Sequence, residues 1–211
     1  MFVRRLYLVS ALLLVAGAIG QPAPAQNFTV NSTTDNADSK VGDGVCSTGV
    51  ALVNPPGTME CTLRAAIQEA SGLAGAHVIT VSTGTYTLTD STPCPASSGG
   101  VHLHYCISGN VSILGAGAST TILDAGHADR VIFISPNATA QISGVTIQNG
   151  HQSGGTYDGG GGGGIMNQGT LTVLDSVFRQ NEEDVADIDV EYHDPPRIMV
   201  RAVFCGPIWI N

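Results

Sequence analysis

Charged residues are scarce in this chain, and those present are unbalanced. Asp, Glu, Lys and Arg make up 12% of the 211 residues, about half the usual share. The 17 acidic residues outnumber the 8 basic ones, giving a formal net charge of −9. Because nucleic acids and anionic lipids are bound by basic surfaces, the composition argues against both as partners. It is compatible with divalent cations, and calcium is the one cofactor that we retain as an option.

Long apolar runs are absent after the first 25 residues. A membrane-spanning helix needs about 20 apolar residues, and no later segment provides them. The first 25 residues have the parts of a secretory signal: Arg4 and Arg5, an apolar stretch over 6–19, and the small-residue site Ala23-Pro24-Ala25. The alternative is a membrane anchor, but the apolar stretch is too short. We predict a signal peptide over 1–25, a mature chain beginning close to Gln26, and an extracellular or cell-surface location.

Five cysteines in an exported chain predict disulfides. The pairings closest in sequence are Cys46 with Cys61 and Cys94 with Cys106, which leave Cys205 single. Four cysteines allow three connectivities, so this pairing is a preference among alternatives.

One helix is expected, just after Cys61. Thr62 is a suitable N-cap, and apolar residues recur at spacings of three and four from Leu63 to Ala70. Ser71-Gly72 is a suitable end. A helix of this length is marginal alone in water, so its apolar face must pack against the β-structure that follows.

From residue 77 onward, short β-branched segments alternate with turns. The predicted strands in this region are 78–81, 86–88, 111–113, 121–123, 131–134, 140–142, 145–147 and 171–173, and one further strand, 28–30, precedes the helix. Residues 142–147 also align with 173–178 at an offset of 31, and the same offset backwards from Ile142 reaches Val111. Such a repeat is typical of the coils of a solenoid, which needs about three coils to form a continuous core.

The composition changes at residue 182. Residues 182–211 contain no Ser or Thr, but 7 of the 17 acidic residues and the single Trp209. The segment is either a native cap, with a strand over 198–204, or a foreign end created by truncation or a change of reading frame. We favour interruption, because a solenoid cap usually keeps the phase of the repeat.

Three blocks in the N-terminal part resemble a bacterial exported family named for a Cys-Ser-Leu-Arg-Glu-Ala (CSLREA) motif. The blocks are Phe28-Thr29-Val30-Asn31-Ser32-Thr33, Gly42-Asp43-Gly44-Val45-Cys46 and Cys61-Thr62-Leu63-Arg64-Ala65-Ala66-Ile67-Gln68-Glu69-Ala70. In the motif, Ser at the N-cap and Glu three residues later form a capping box. Here Thr62 keeps the cap, whereas Ala65 replaces the Glu.

The resemblance implies an architecture. The region 78–181 is similar to the right-handed parallel β-helix that usually follows the motif, a pectin-lyase-like fold. Gly162-Gly163-Gly164-Ile165-Met166-Asn167 resembles the start of its common repeat. We therefore expect an all-β chain: a cap module over 26–76 whose helix seals the first coil, β-helix coils over 77–181, and an atypical tail over 182–211.

A pectin-lyase-like fold raises the question of polysaccharide cleavage. The nearest residues to a lyase site are Asp124, Asp129 and Arg130, which combine acids for calcium with a basic residue. The alternative is an ordinary turn beside a solvated ion pair. Hydrolases of this fold carry grouped aspartates, and Gly126-His127 lacks the accompanying Asp-Asp pair.

Metal binding and other known chemistry find little support. Asp35, Asp38 and Asp43 share a loop that offers oxygen ligands for calcium, but their spacing misses the EF-hand pattern. His102, His104 and Cys106 alternate as metal ligands on one strand face would, although Cys106 has Cys94 as an alternative partner. Gly159–Gly164 lacks the Lys-Ser or Lys-Thr of a phosphate loop, and no Gly-x-Ser-x-Gly elbow occurs.

The sequence therefore predicts a scaffold without an identifiable catalytic site. The expected role is binding of a polysaccharide or a cell-surface protein, as in adhesion. The alternative is a polysaccharide lyase or glycoside hydrolase, either complete or as an incomplete copy. A carboxylate and Arg cluster on one face would favour the enzyme, whereas a face lined by Ser, Thr and Asn would favour binding.

Overall fold

The chain is mostly β-structure with parallel sheets. The computed structural model describes residues 24–91, 104–152, 163–183, 190–192 and 198–205. Its helix is α1 Leu63–Gly72, and its strands are β1 Asn27–Val30, β2 Ala76–Val81, β3 Gly84–Thr87, β4 Tyr105–Ile107, β5 Asn110–Gly115, β6 Thr121–Asp124, β7 Ile132–Ile134, β8 Thr139–Ser143, β9 Thr146–Gln148, β10 His151–Gln152, β11 Ile165–Asn167, β12 Thr170–Arg179, β13 Glu182–Glu183, β14 Val190–Tyr192 and β15 Ile198–Cys205. Residues 1–23 of the predicted signal peptide, Cys94 and His102 lie outside the described residues.

The described strands form three sheets, and every strand pair in them is parallel. The largest sheet has the order β1-β2-β5-β8-β12-β9-β6-β3, with β15 also paired to β12. The path turns at β12 because its first half pairs with β8 and its second half with β9. A second sheet has the order β14-β11-β7-β4, and β10 pairs with β13.

The predicted 31-residue offset is confirmed between β8 and β12. Val173 pairs with Ile142, and Phe178 pairs with Ile147. The extension to Val111 is wrong by two residues, because Ile142 pairs with Ile113. A strand repeats its facing every two residues, so both alignments bury the same face and the sequence pattern does not distinguish them.

The core is built from rows of apolar side chains that recur in successive strands. One row is Ile79, Ile113, Ile142 and Val173, and the next is Tyr86, Leu123, Ile147 and Phe178. All eight side chains are buried. Burial of each such side chain contributes roughly 1.5–3 kcal/mol, so these rows supply much of the folding free energy.

The predicted helix is confirmed, together with its cap. The Thr62 hydroxyl accepts a hydrogen bond from the Ala65 amide at 3.0 Å, which satisfies one of the free amides of the first turn. Leu63, Ala66 and Ile67 are buried. The helix packs against β1, β2, β4 and β5. It therefore lies near β1, at the end of one sheet path, and β4, at the end of another.

Nine predicted strand segments coincide with observed strands, and several others were missed. The missed strands are β4, β10, β11, β13 and β14. Each has only two or three residues, too few for an alternating pattern to be recognised. In the tail, β15 pairs with β12 through Leu171–Ile198 and Phe178–Phe204, among others.

The predicted pairing of Cys46 with Cys61 is confirmed, with 5.3 Å between their Cα atoms. Cys106 is also disulfide-bonded. The disulfide at Cys46 closes the loop before α1, where the chain has one antiparallel bridge, Ala51 to Met59. Loop closure of this size contributes about 3 kcal/mol by restricting the unfolded chain.

Adjacent turns of the large sheet meet at two glycines, Gly115 and Gly144. A Cβ atom added to Gly115 would overlap the carbonyl oxygen of Gly144. We therefore expect Gly115→Ala to destabilise the fold by about 3 kcal/mol, at the upper end for overpacking because the obstacle is backbone. The measurement is the free energy of unfolding in urea.

Gly126→Ala is the matched control, since Gly126 has a φ of 57° and open space around its Cα. Its expected loss is about 1 kcal/mol, from the left-handed backbone alone. Equal losses in the two variants would show that the backbones at residues 115 and 144 do not touch.

Candidate functional site

The three aspartates considered for calcium are engaged in separate structural contacts. Asp38 accepts hydrogen bonds from the amides of Lys40 and Ser47 at 2.7 and 3.0 Å. Asp43 accepts one from the Val45 amide at 2.9 Å and lies 3.7 Å from the Lys40 ammonium. Within the described ranges, no group of three His, Cys, Asp or Glu side chains is arranged to hold a metal ion.

Asp35 instead forms a buried ion pair with Arg64, a residue that the sequence motif contains but whose role the motif does not reveal. The Arg64 Nε and Nη2 atoms donate to the two carboxylate oxygens at 2.9 and 2.8 Å. Asp35 also accepts from the amides of Thr89 and Asp90 at 2.7 and 2.9 Å. The Arg64 guanidinium lies 5.2 Å from the centre of the Tyr105 ring. One ion pair thus joins the first loop, α1, the segment after β3, and β4.

Glu60 links further residues of the segment between β1 and α1. Its carboxylate accepts hydrogen bonds from Ser32, Thr34, Asn36 and Thr48 at 2.7–3.0 Å. Burial alone would raise the pKa of the Glu60 carboxyl, but these four donors outweigh burial and lower it from 4.5 to about 2. Such a carboxylate stays ionised and acts as a structural acceptor.

Glu69 of α1 is a further buried carboxylate. It accepts hydrogen bonds from the amides of Gly42 and Gly44, whose φ angles are 88° and 86°. Glycine adopts this left-handed backbone without strain. The Gly42-Asp43-Gly44 block is therefore a loop that two glycines shape to fit Glu69.

Of the residues considered for a lyase site, Asp124 and Asp129 contact different side chains. Arg130 is 1% exposed, so its guanidinium is not presented to solvent. Asp129 lies 3.2 Å from Nδ1 of the buried His104. Asp124 belongs to a different cluster, on β6. The geometry does not present these three side chains as one open catalytic group.

Asp124 heads a polar row that runs across β6, β9 and β12. Gln148 Nε2 donates to Asp124 at 2.6 Å, and Arg179 Nε donates to Gln148 Oε1 at 2.6 Å. Burial would raise the pKa of the Asp124 carboxyl, but hydrogen bonds from Gln148, Asn149 and the Gly126 amide lower it. A general base works best with a pKa near the working pH, so the lowered pKa disfavours Asp124 in that role.

The most extended polar surface lies on the outer side of β1, β2, β5, β8 and β12. Exposed and half-buried positions alternate there with buried ones along each strand. The outward residues that carry hydroxyl or amide groups are Asn27, Thr29, Thr80, Asn110, Ser112, Thr139, Gln141, Ser143, Thr170 and Thr172. We name this set the polar face.

The polar face is ordered by the strand register. Thr139 lies between Asn110 and Thr170, and Gln141 lies between Ser112 and Thr172. Neighbouring strands are about 4.8 Å apart, so the side chains form parallel rows with a regular spacing. The outward positions of β1, β2, β5, β8 and residues 170–174 of β12 carry no charge, whereas Asp175 and Arg179 are exposed in the second half of β12.

The comparisons with known proteins add nothing to these observations: no family model, curated protein or solved structure matches the chain. None of the described helices has the length and apolar character needed to cross a membrane.

Removal of Asp35 tests the buried ion pair. We expect Asp35→Ala to destabilise the fold by about 3–5 kcal/mol, because the Arg64 charge stays buried without its partner. Chemical denaturation measures the loss. Lys40→Ala, which breaks an ion pair whose Lys is 79% exposed, is the control and should cost at most about 1 kcal/mol. The double change Asp35→Ala with Arg64→Met should recover part of the loss, while the part due to the amides of Thr89 and Asp90 remains; no recovery at all would show that the buried charge is not the cause.

The lowered pKa of Glu60 predicts a pH dependence. A depressed pKa stabilises the folded state above the unfolded value of 4.5, and this contribution disappears as pH falls towards 2. The expected size is roughly 3 kcal/mol. Unfolding free energies measured between pH 7 and pH 2 should contain most of this step, because the stabilisation is lost between the unfolded-state pKa of 4.5 and the folded-state pKa of about 2.

Glu60→Gln is the comparison variant for this titration. It should be less stable at neutral pH, because its amide group faces hydrogen-bond donors, and it should lack the acidic step. An unchanged acidic step in the variant would assign that step to another carboxyl group.

Proposed function

We propose that the chain is an exported scaffold of the CSLREA-type family, built on a right-handed parallel β-helix. Parallel pairing throughout the described sheets supports this fold, as does the return of each strand row after 24–37 residues. In this proposal residues 26–76 cap the first coil through α1, and 77–181 form the coils. The pairing of β15 with β12 supports a native terminal coil for the tail over the interruption favoured by its composition.

The proposed activity is the binding of a glycan at the polar face, outside the cell or at its surface. The observation that carries the proposal is the uncharged, regularly spaced set of hydroxyl and amide groups on five paired strands. Such groups donate and accept hydrogen bonds without the desolvation cost of a charge. An extended neutral glycan offers the same chemistry in a repeating row, and a cell-surface protein is the other class of ligand to be tested.

A polysaccharide lyase or hydrolase is the second function that we consider. The row of Asp124, Gln148 and Arg179 places an acidic side chain and an exposed basic side chain on one face. Against it stand the lowered pKa of Asp124 and the burial of Arg130. The fold alone does not supply the reaction.

One screen separates the two functions. The mature protein is tested against neutral and acidic glycans, with and without calcium, for binding and for release of unsaturated products. Binding of a neutral glycan without product is the expected result. Ultraviolet absorbance from new double bonds would replace the scaffold with a lyase, and new reducing ends would indicate a hydrolase.

Gln141 lies near the middle of the polar face and is exposed. We expect Gln141→Lys to weaken glycan binding about tenfold or more, since loss of one well-placed hydrogen bond contributes about 1 kcal/mol and an inserted charge adds to it. Stability should stay within about 0.5 kcal/mol because the site is at the surface. Binding is measured by calorimetry with a glycan from the screen.

Thr85→Lys is the matched control, because Thr85 is also exposed on a strand, β3, but lies outside the polar face. It should bind like the unaltered protein. If both lysine variants bind equally well, the glycan does not contact the polar face.

A further inference from the structure

Gln26, at the start of the predicted mature chain, is in contact with the rest of the fold. Pro24 and Ala25 are exposed, whereas Gln26 is half-buried. The Gln26 carbonyl accepts a hydrogen bond from the Val78 amide at 2.9 Å. Its side-chain amide lies against Gly44. Gln26, the residue that would follow cleavage after Ala25, is thus held in the folded structure.

The backbone nitrogen of Gln26 has an unusual acceptor. It lies 3.2 Å from Nδ1 of His77, a side chain that is 1% exposed and in contact with the Phe28 ring. With Nδ1 accepting, the proton of the neutral imidazole is on Nε2. The buried imidazole therefore offers a single lone pair to the nitrogen of the half-buried Gln26.

After cleavage, this nitrogen becomes the terminal amine. A terminal ammonium has three donors and a positive charge, and the imidazole of His77, which lies beside an apolar ring, accepts from only one of them. A lactam has one N–H and no charge, which matches one acceptor lone pair. Glutamine is the residue whose side chain forms such a lactam with its own amine.

From this match we propose that the mature protein begins with pyroglutamate at position 26, its lactam N–H donating to His77. The amine nitrogen of Gln26 attacks its own Cδ, the Cδ–Nε2 bond breaks, and Nε2 leaves as ammonia with the proton that the amine loses. No oxidant, reductant or second reactant is required. The proposal rests on export and cleavage after Ala25, which belong to the proposed function.

The test is mass spectrometry of the full chain expressed with its own leader and purified after export. The expected N-terminal peptide begins at residue 26, is one ammonia lighter than the Gln form, and does not react with an amine label. Gln26→Ala keeps the small-residue cleavage site but cannot cyclise, and its terminus should react fully with the label.

Two results would overturn the proposal, and they have different meanings. A reactive Gln26 amine that persists through prolonged incubation at neutral pH would reject the modification and leave export intact. A chain that begins at another residue would reject both this modification and the predicted cleavage site.

A second readout concerns His77. As the cyclised fraction rises during incubation of one freshly processed sample, the thermal unfolding midpoint should rise with it. The amino-acid sequence is constant in this comparison, so the change reports the exchange of the amine for the lactam. A constant midpoint would overturn the seating of the lactam on His77.

Discussion

Parallel pairing in a fixed register is the constraint on which the rest of the structure depends. Because each strand pairs with the same orientation as its neighbour, equivalent side chains fall into rows. The inward rows become a continuous apolar core, and the outward rows become the polar face. A slip of one residue in any strand would exchange the two sets. The burial of every inward residue therefore also fixes the surface that is available for binding.

The sequence predicts the elements that have a strong local pattern. The helix after Cys61 has an N-cap and an apolar stripe, and the longer strands alternate clearly. The 31-residue offset is detectable in the sequence because the spacing from Ile142 to Ile147 equals the spacing from Val173 to Phe178. The two-residue error between β5 and β8 arises because alternation is unchanged by a shift of two. In the observed register, Gly115 lies against Gly144.

The site was less predictable than the fold, since its residues are joined by tertiary contacts. Asp35 lies 29 positions before Arg64, and nothing local in either residue indicates a buried ion pair. The same applies to the row of Asp124, Gln148 and Arg179, whose members belong to three strands. The sequence indicates only that a surface lined by Ser, Thr and Asn would favour binding. It does not locate the polar face, because the position of that face depends on the strand register.

Two buried carboxylates, Glu60 and Glu69, stabilise the loop-rich segment between β1 and α1. Large apolar side chains that are exposed in the described part of the chain all lie in one loop: Val41, Val45, Val50, Val53 and Met59. That loop is consequently not held by a core. Glu60 and Glu69 hold it from within through neutral donors, and the Cys46–Cys61 disulfide closes it. A disulfide persists in an oxidising compartment, so the construction of this module supports the exported location proposed from the leader.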